Sequence, residues 1–336
     1  MKRYLFLISI IFISCQEEIT LDLPQAGSKI VVEGSIEPGF PPYVILTRNQ
    51  GYFDPINQET YANLFVNDAD SVKVWYYNEA GEKEIKILEK FEGLDSLPPI
   101  YTDLDYLSNL VPYSFSQAGR TYYLEIQWNN QLITAETTIP EPTPLDSLWV
   151  EQSETADKDF KCDIRAIYSD PADIQNNILI RSKRLQHYEN KDSLECKTEN
   201  NPDFTLKLVD AGADVLINGQ SFETYFPRPK DNEFPTGKYN SYHTKECDND
   251  SILEFSEDIV LIKFCQIDEP SLKFWRGLVR QAGTNGNPFA EPMNLLSNIN
   301  NGLGIWTGYG AVYYKVPIIK DTIIMQQYSP EIIDIF

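Results

Sequence analysis

Histidine, cysteine and methionine are scarce in this chain: two, five and three among 336 residues. Positive charge is also thin, with 28 Lys and Arg against 50 Asp and Glu, a formal net charge of −22. Each shortage excludes something. Two imidazoles, His187 and His243, leave little room for general acid–base or zinc chemistry, and neither has an acid–nucleophile pattern beside it. The deficit of Lys and Arg argues against nucleic acid, whose phosphates need neutralising, and against attraction to anionic headgroups. No G-x-S-x-G elbow, H-E-x-x-H helix, Walker loop or dinucleotide fingerprint occurs. No C-x-x-C spacing suggests a zinc ribbon or thioredoxin site. The acidic pairs Asp68-Ala-Asp70 and Asp248-Asn-Asp250 lack the glycine and distal glutamate of a calcium loop and read as solvated turns. The expectation is a protein with no catalytic residues, no metal and no cofactor.

What is present begins with an address. Lys2 and Arg3 precede an apolar stretch, Tyr4 to Ile13. It is too short to span a bilayer, which needs about 20 residues, but it suits a secretory signal. The stretch ends Phe12-Ile13-Ser14-Cys15, which resembles the lipobox of bacterial lipoproteins, where the signal is cut before a cysteine that is then acylated. Several acyl chains give the stable anchoring that a single chain does not. Residues 1–14 are thus expected to be removed and 15–27 to form an acylated tether, the only contact with the membrane. Gln16-Glu17-Glu18 resembles the acidic signal that sends such lipoproteins to the outer face of the outer membrane.

Setting Cys15 aside leaves Cys162, Cys196, Cys247 and Cys265, an even number outside the cytosol. Cys162 and Cys265 sit in strand-like runs, and Cys196 and Cys247 in polar stretches, so Cys162–Cys265 and Cys196–Cys247 are the expected disulfides. Free buried thiols are the other reading.

Short alternating runs dominate the body and predict a mainly β protein. Residues 28–140 read as an immunoglobulin-like β-sandwich, with runs at 29–36, 43–47, 71–77, 83–88 and 121–128. The last run turns back at Asn129-Asn130, a pair that tolerates positive φ in a two-residue hairpin. Residues 141–148, within Pro140-Glu-Pro-Thr-Pro144 and beyond, form a stiff linker. Residues 149–317 read as a second β-sandwich-like domain with one amphipathic helix from Glu269 to about Ala282, capped by Asp268. Residues 318–336 are a tail. Trp75, Tyr76 and Tyr77 offer rings for stacking on a sugar, although alternation along a strand should turn at least one of them inward.

The most distinctive stretch is Gly283 to Gly310, rich in glycine, asparagine and proline. Such a loop plugs one end of a domain or meets a partner. Asn287, Pro288, Phe289, Glu291, Pro292, Asn298, Trp306 and Tyr309 are its candidate contact residues. Phe289, Ile299, Leu303 and Trp306 are its expected anchors. A separate pattern, Asp-Ser/Thr-apolar, recurs at Ser71, Ser96, Ser147, Ser193, Ser251 and Thr322, more often than composition predicts. It resembles the O-glycosylation acceptor of exported Bacteroidetes proteins, which must lie at the surface.

Cys15, Leu21-Asp-Leu-Pro24, Lys29-Ile-Val-Val-Glu-Gly34 and Asn287-Pro-Phe-Ala-Glu-Pro292, followed by Ser297-Asn-Ile299, Gly302-Leu-Gly-Ile305 and Gly308-Tyr309, together resemble one family. It is the Bacteroidetes lipoprotein family called domain of unknown function 4249, and the likeness covers nearly the whole mature chain. Its members are commonly encoded beside TonB-dependent outer-membrane transporters. The resemblance therefore implies an outer-membrane lipoprotein seated on such a β-barrel as a non-enzymatic accessory, capturing a small-molecule, peptide or glycan ligand or forming a lid. A glycan-binding or adhesion lipoprotein not tied to a transporter is the alternative. The family supplies no catalytic residues to carry over.

Overall fold

The computed structural model describes residues 29–49, 57, 60, 63–91, 98–109, 113–152, 162–172, 174, 176–190, 197–200, 205–213, 218–226, 253–284, 295–318 and 322–335. The first part of the chain forms β1 (Ile30–Ile36), β2 (Tyr43–Arg48), β3 (Ser71–Tyr77), β4 (Lys83–Phe91), β5 (Ile100–Thr102), the short helix α1 (Leu104–Asn109), β6 (Thr121–Trp128) and β7 (Gln131–Thr138). Then come β8 (Ser147–Gln152), β9 (Cys162–Ser169), β10 (Asn177–Asn190), β11 (Lys197–Asn200), β12 (Lys207–Ala213), β13 (Ser221–Phe226) and β14 (Leu253–Gln266). The helix α2 (Glu269–Thr284), β15 (Leu303–Gly308), β16 (Gly310–Pro317), β17 (Ile323–Ile324) and a 3-10 turn (Ile332–Asp334) follow. The mainly β architecture, with sandwich-like layers and one long helix, is the one the alternating pattern predicts. No helix among the described residues is long and apolar enough to cross a membrane.

The first sheet runs β15-β1-β2-β5-β4-β3-β6-β7. Strict alternation along β6 sends Tyr122, Leu124, Ile126 and Trp128 inward, where they meet Val32, Val44, Val72 and Val74 in one core. Asn129 and Asn130 take φ of 50° and 59°, so the β6–β7 hairpin turns where the sequence reading puts it. The Tyr122 hydroxyl donates to the Phe115 carbonyl at 2.7 Å and accepts from the Gln117 amide at 2.8 Å. This is the tyrosine-corner arrangement of Greek-key sandwiches.

One strand of this sheet comes from the far end of the chain. β15 lies parallel to β1, with Gly34 opposite Trp306. The division at 141–148 assigns all of 149–317 to a second domain, whereas Leu303–Gly308 belongs to the first sheet. Trp306 is the reason: its fully buried ring fills the first core, and its Nε1 donates to the Tyr122 carbonyl at 3.2 Å. Just before β15, Asn300 exchanges backbone hydrogen bonds with Thr134 of β7, and the Asn301 side chain donates to the Leu132 carbonyl. The segment thereby links the two ends of the sheet.

The second part is a sandwich. One layer is the four-stranded sheet β13-β9-β8-β17; the other is β11-β10-β14-β16 with β12 paired to β10. Ile164, Ala166 and Tyr168 of β9 face Val260, Ile262 and Phe264 of β14 across it. β14 is buried on both faces over 259–266, which accounts for its nearly unbroken apolar run. On its outer face lie α2, the β15–β1–β2 edge of the first sheet, and the tail. The linker is pinned as well: the Thr143 amide donates to Gln266 and the Leu145 amide to the Tyr314 hydroxyl, both at 2.8 Å.

Cys265 corrects the expected pairing. It is a free, buried thiol, so the Cys162–Cys265 disulfide does not form. The cause is the period of two along β14. Phe264 faces the four-stranded sheet that carries Cys162, and Cys265 points the other way, into the α2 side with Leu272 and Trp275. Cys196 and Cys247 lie outside the described residues.

Candidate functional site at the junction of the two sandwiches

The outer face of the five-stranded sheet presents one rank of polar side chains. Arg181 of β10, Lys263 of β14 and Tyr313 of β16 stand side by side by register. Glu37, immediately after β1, comes down onto this rank from the first sheet. Lys263 Nζ and Glu37 Oε2 are 2.9 Å apart, and both side chains are almost fully buried, at 1% and 3% exposed. The Tyr313 hydroxyl donates to the same carboxylate, 3.0 Å from each oxygen. Lys263 Nζ also lies 4.3 Å from the centroid of the Tyr309 ring. Each charge is therefore met by hydrogen bonds or a ring face, the condition under which a buried ion pair is tolerated.

Arg181 is held by the same device. Its guanidinium lies 4.4 Å from the Trp275 centroid on α2, and it donates to the Tyr309 hydroxyl at 3.3 Å. α2 is placed for this by its cap. Asp268 Oδ1 accepts from the Ser271 amide, and Oδ2 accepts from the Thr137 hydroxyl at 2.7 Å, fastening the helix start to β7. Burial raises the Tyr309 and Tyr313 hydroxyl pKa values, and at Tyr313 the Glu37 charge adds to the effect.

The tail closes one side. The Tyr328 amide donates to the Tyr313 carbonyl at 2.8 Å. The Tyr328 hydroxyl and the Glu331 amide both donate to Asp334 Oδ2, and Lys183 approaches Asp334 at 3.7 Å. Ile335 is buried beside Leu261 and Tyr313. Burial depresses the Lys183 pKa, and Asp334 opposes that shift.

A cleft of about 950 Å³ opens between these elements. Its floor is Glu37 and Tyr313. Its walls are the Pro38–Phe40 turn, Tyr106 of α1 and tail residues Gln327 to Ile332. Sequence reasoning names Tyr309 but misses Glu37, Lys263, Tyr313 and Tyr328. The legible signal was Lys263, a lone charge within the apolar run Ile259–Cys265, which implies a buried partner elsewhere.

The predicted site residues scatter. Cys15, Gln16, Glu17, Glu18, Asn287, Pro288, Phe289, Glu291, Pro292, Ser96, Ser193 and Ser251 lie outside the described residues. Of the expected anchors, Ile299 and Trp306 are buried in the first core, while Leu303 is 37% exposed. Asn298 has a positioning role: its side chain donates to the Glu136 and Trp306 carbonyls and accepts from the Trp306 amide. Ser71 and Thr322 are half-exposed, but the Ser147 hydroxyl is enclosed without a hydrogen-bond partner, so it does not present an acceptor at the surface.

Two of the three β3 rings are packed against neighbours. Tyr76 turns inward against Phe115 and Tyr122. Trp75 stacks on Tyr123 of β6 at 4.2 Å, and Lys83 of β4 sits 3.8 Å from the Trp75 centroid. These neighbours come from the strands on either side of β3, while Tyr77 packs edge-on against Trp75 at 5.2 Å and stays 53% exposed.

A family model described as a domain of unknown function (DUF4249) matches residues 16–314. No curated protein and no solved structure matches the chain.

Proposed function

The chain belongs to this family of unknown function, DUF4249, and from that premise we propose that it is a lipid-anchored accessory subunit of a TonB-dependent outer-membrane transporter. It sits on the cell exterior, held by acyl chains on Cys15, and captures ligand in the junction cleft without chemical conversion. The observation that carries this reading is the amino-terminal sequence: Lys2-Arg3, an apolar stretch, Ser14-Cys15 and Gln16-Glu17-Glu18. The cleft adds the capture role. Its charged floor is held by Lys263 and Tyr313 and suits binding better than proton transfer. The acidic surface fits a body repelled by anionic lipid and joined to the membrane through its tether alone.

Three measurements test it in order. Labelled palmitate should enter the wild-type chain and not Cys15→Ala. Protease added to intact cells should remove the protein. Solubilisation in mild detergent should bring down a β-barrel with a tagged chain. Absence of label or protection from protease overturns the anchoring and orientation. Recovery as a monomer under every detergent tried overturns the transporter role.

A further inference from the structure

We propose that the junction cleft selects a ligand of tripeptide size carrying a basic group, an amine or guanidinium flanked by apolar groups. The inference rests on the ligand-capture reading above and names the chemical class captured. Four aromatic residues line the cleft: Phe40, Tyr106, Tyr313 and Tyr328. Two carboxylates join them, Glu37 at the floor and Glu331 at the exposed rim. None of the described lining residues is Lys or Arg.

That lining discriminates by charge. Ring faces and the exposed Glu331 carboxylate attract a cation, and the attraction strengthens as water is excluded; the Glu37 charge is already offset by Lys263 and leaves the floor without free positive charge. A phosphate or carboxylate ligand would meet no cationic partner in the lining and would be repelled at Glu331. Lys263 cannot serve it, because Lys263 is already held by Glu37 and the Tyr309 ring. The surplus of acidic residues over the whole chain, a net −22, steers cations toward the surface in the first place. The molecule uses the same recognition internally, with Arg181 against Trp275. Two lining rings already face a lysine, Tyr313 with Lys263 at 5.4 Å and Tyr328 with Lys315 at 5.8 Å, so Phe40 and Tyr106 are the rings offered to the ligand. Volume sets the size: about 950 Å³ is near the top of the range of roughly 300–1,000 Å³ for ligand pockets.

The test is calorimetric titration of the purified full chain in detergent with three capped tripeptides: Ac-Phe-Arg-Phe-NH2, its citrulline isostere and Ac-Phe-Glu-Phe-NH2. The arginine peptide should bind about tenfold tighter than the neutral isostere, and the glutamate peptide should not bind. Glu331→Gln should weaken the arginine peptide severalfold and leave the citrulline peptide unchanged; Tyr106→Leu should weaken both, with melting curves confirming that each variant is folded. Equal affinity for arginine and citrulline peptides, no heat from any peptide at millimolar concentration, or indifference to both substitutions would each overturn the proposal. Because the titration needs no transporter, loss of the barrel association leaves its outcome readable. A barrel-bound chain that ignores the arginine peptide defeats this inference alone.

Discussion

Glu37 and Lys263 meet at 2.9 Å across the boundary between the first sheet and the second sandwich. One follows β1 and the other lies in β14, and the Tyr313 hydroxyl bonds both oxygens of the carboxylate. The pair fixes the depth at which the two halves seat.

Removing one partner should therefore cost more than removing both. Glu37→Ala leaves a buried ammonium uncompensated and is expected to lower stability by about 3–5 kcal/mol. The double variant Glu37→Leu, Lys263→Met should recover most of that loss, since apolar replacements of similar volume satisfy the site. Urea denaturation of the wild type, the single and the double variant compares the three. A double variant no more stable than Glu37→Ala would mean that the pair is not the link.

Two glycines report on the β1–β15 pairing. Gly304 has φ +96°, and a Cβ there would fall on the Val32 carbonyl. Gly304→Ala should thus cost about 3 kcal/mol or more and open 295–308 to limited proteolysis. Gly34→Ala places a Cβ 2.8 Å from Trp306 Cε3 and should cost about 1–3 kcal/mol, with a red-shifted tryptophan emission.

Cys265 should be chemically silent in the native state. Burial pushes its thiol pKa up to about 12, so almost no thiolate forms at pH 8. Iodoacetamide should leave the Cys265 peptide unmodified in buffer and label it in 6 M guanidinium without reductant. Labelling under native conditions, or none in denaturant, contradicts the buried free thiol.

Alkaline pH should unfold the protein through its tyrosines. Tyr328 is raised to about 12 by burial and the Asp334 carboxylate, and burial raises Tyr309 and Tyr313 as well. Between the unfolded value of about 10 and the folded value, the unfolded state binds fewer protons, so stability falls as pH rises. The contribution is fully present below pH about 10. Absorbance at 295 nm should show tyrosine ionisation coinciding with loss of near-ultraviolet dichroism. A gradual titration without unfolding would contradict it.

The strands with strong alternation were readable, and so were two local devices, the Asn129-Asn130 turn and the Asp268 cap. Both depend on a few adjacent residues. What escaped was set by contacts distant in sequence. β15 was hidden by Gly302, Gly304 and Gly308, residues that look like loop until Ile30 and Ile299, the Val32 carbonyl and the Thr138–Ile139 backbone are seen to press on them in turn. β8 and β13 were too short and mixed in character to stand out. The site suffered in the same way: nothing near Glu37 announces that it ends beside a residue of β14, and nothing near Tyr328 announces its bridge to Tyr313. A single alternation decided the cysteine pairing, and it depends on which layers β14 separates.

The parallel pairing of β1 with β15 also imposes an order of events. The end of the polypeptide that is made first cannot seal its own barrel-like shell until almost the last residues have been delivered, because the ring that fills the shell is Trp306. The first core can therefore close only after residue 306 has joined it, and the lateness of that step follows from the great sequence distance between the strands that meet.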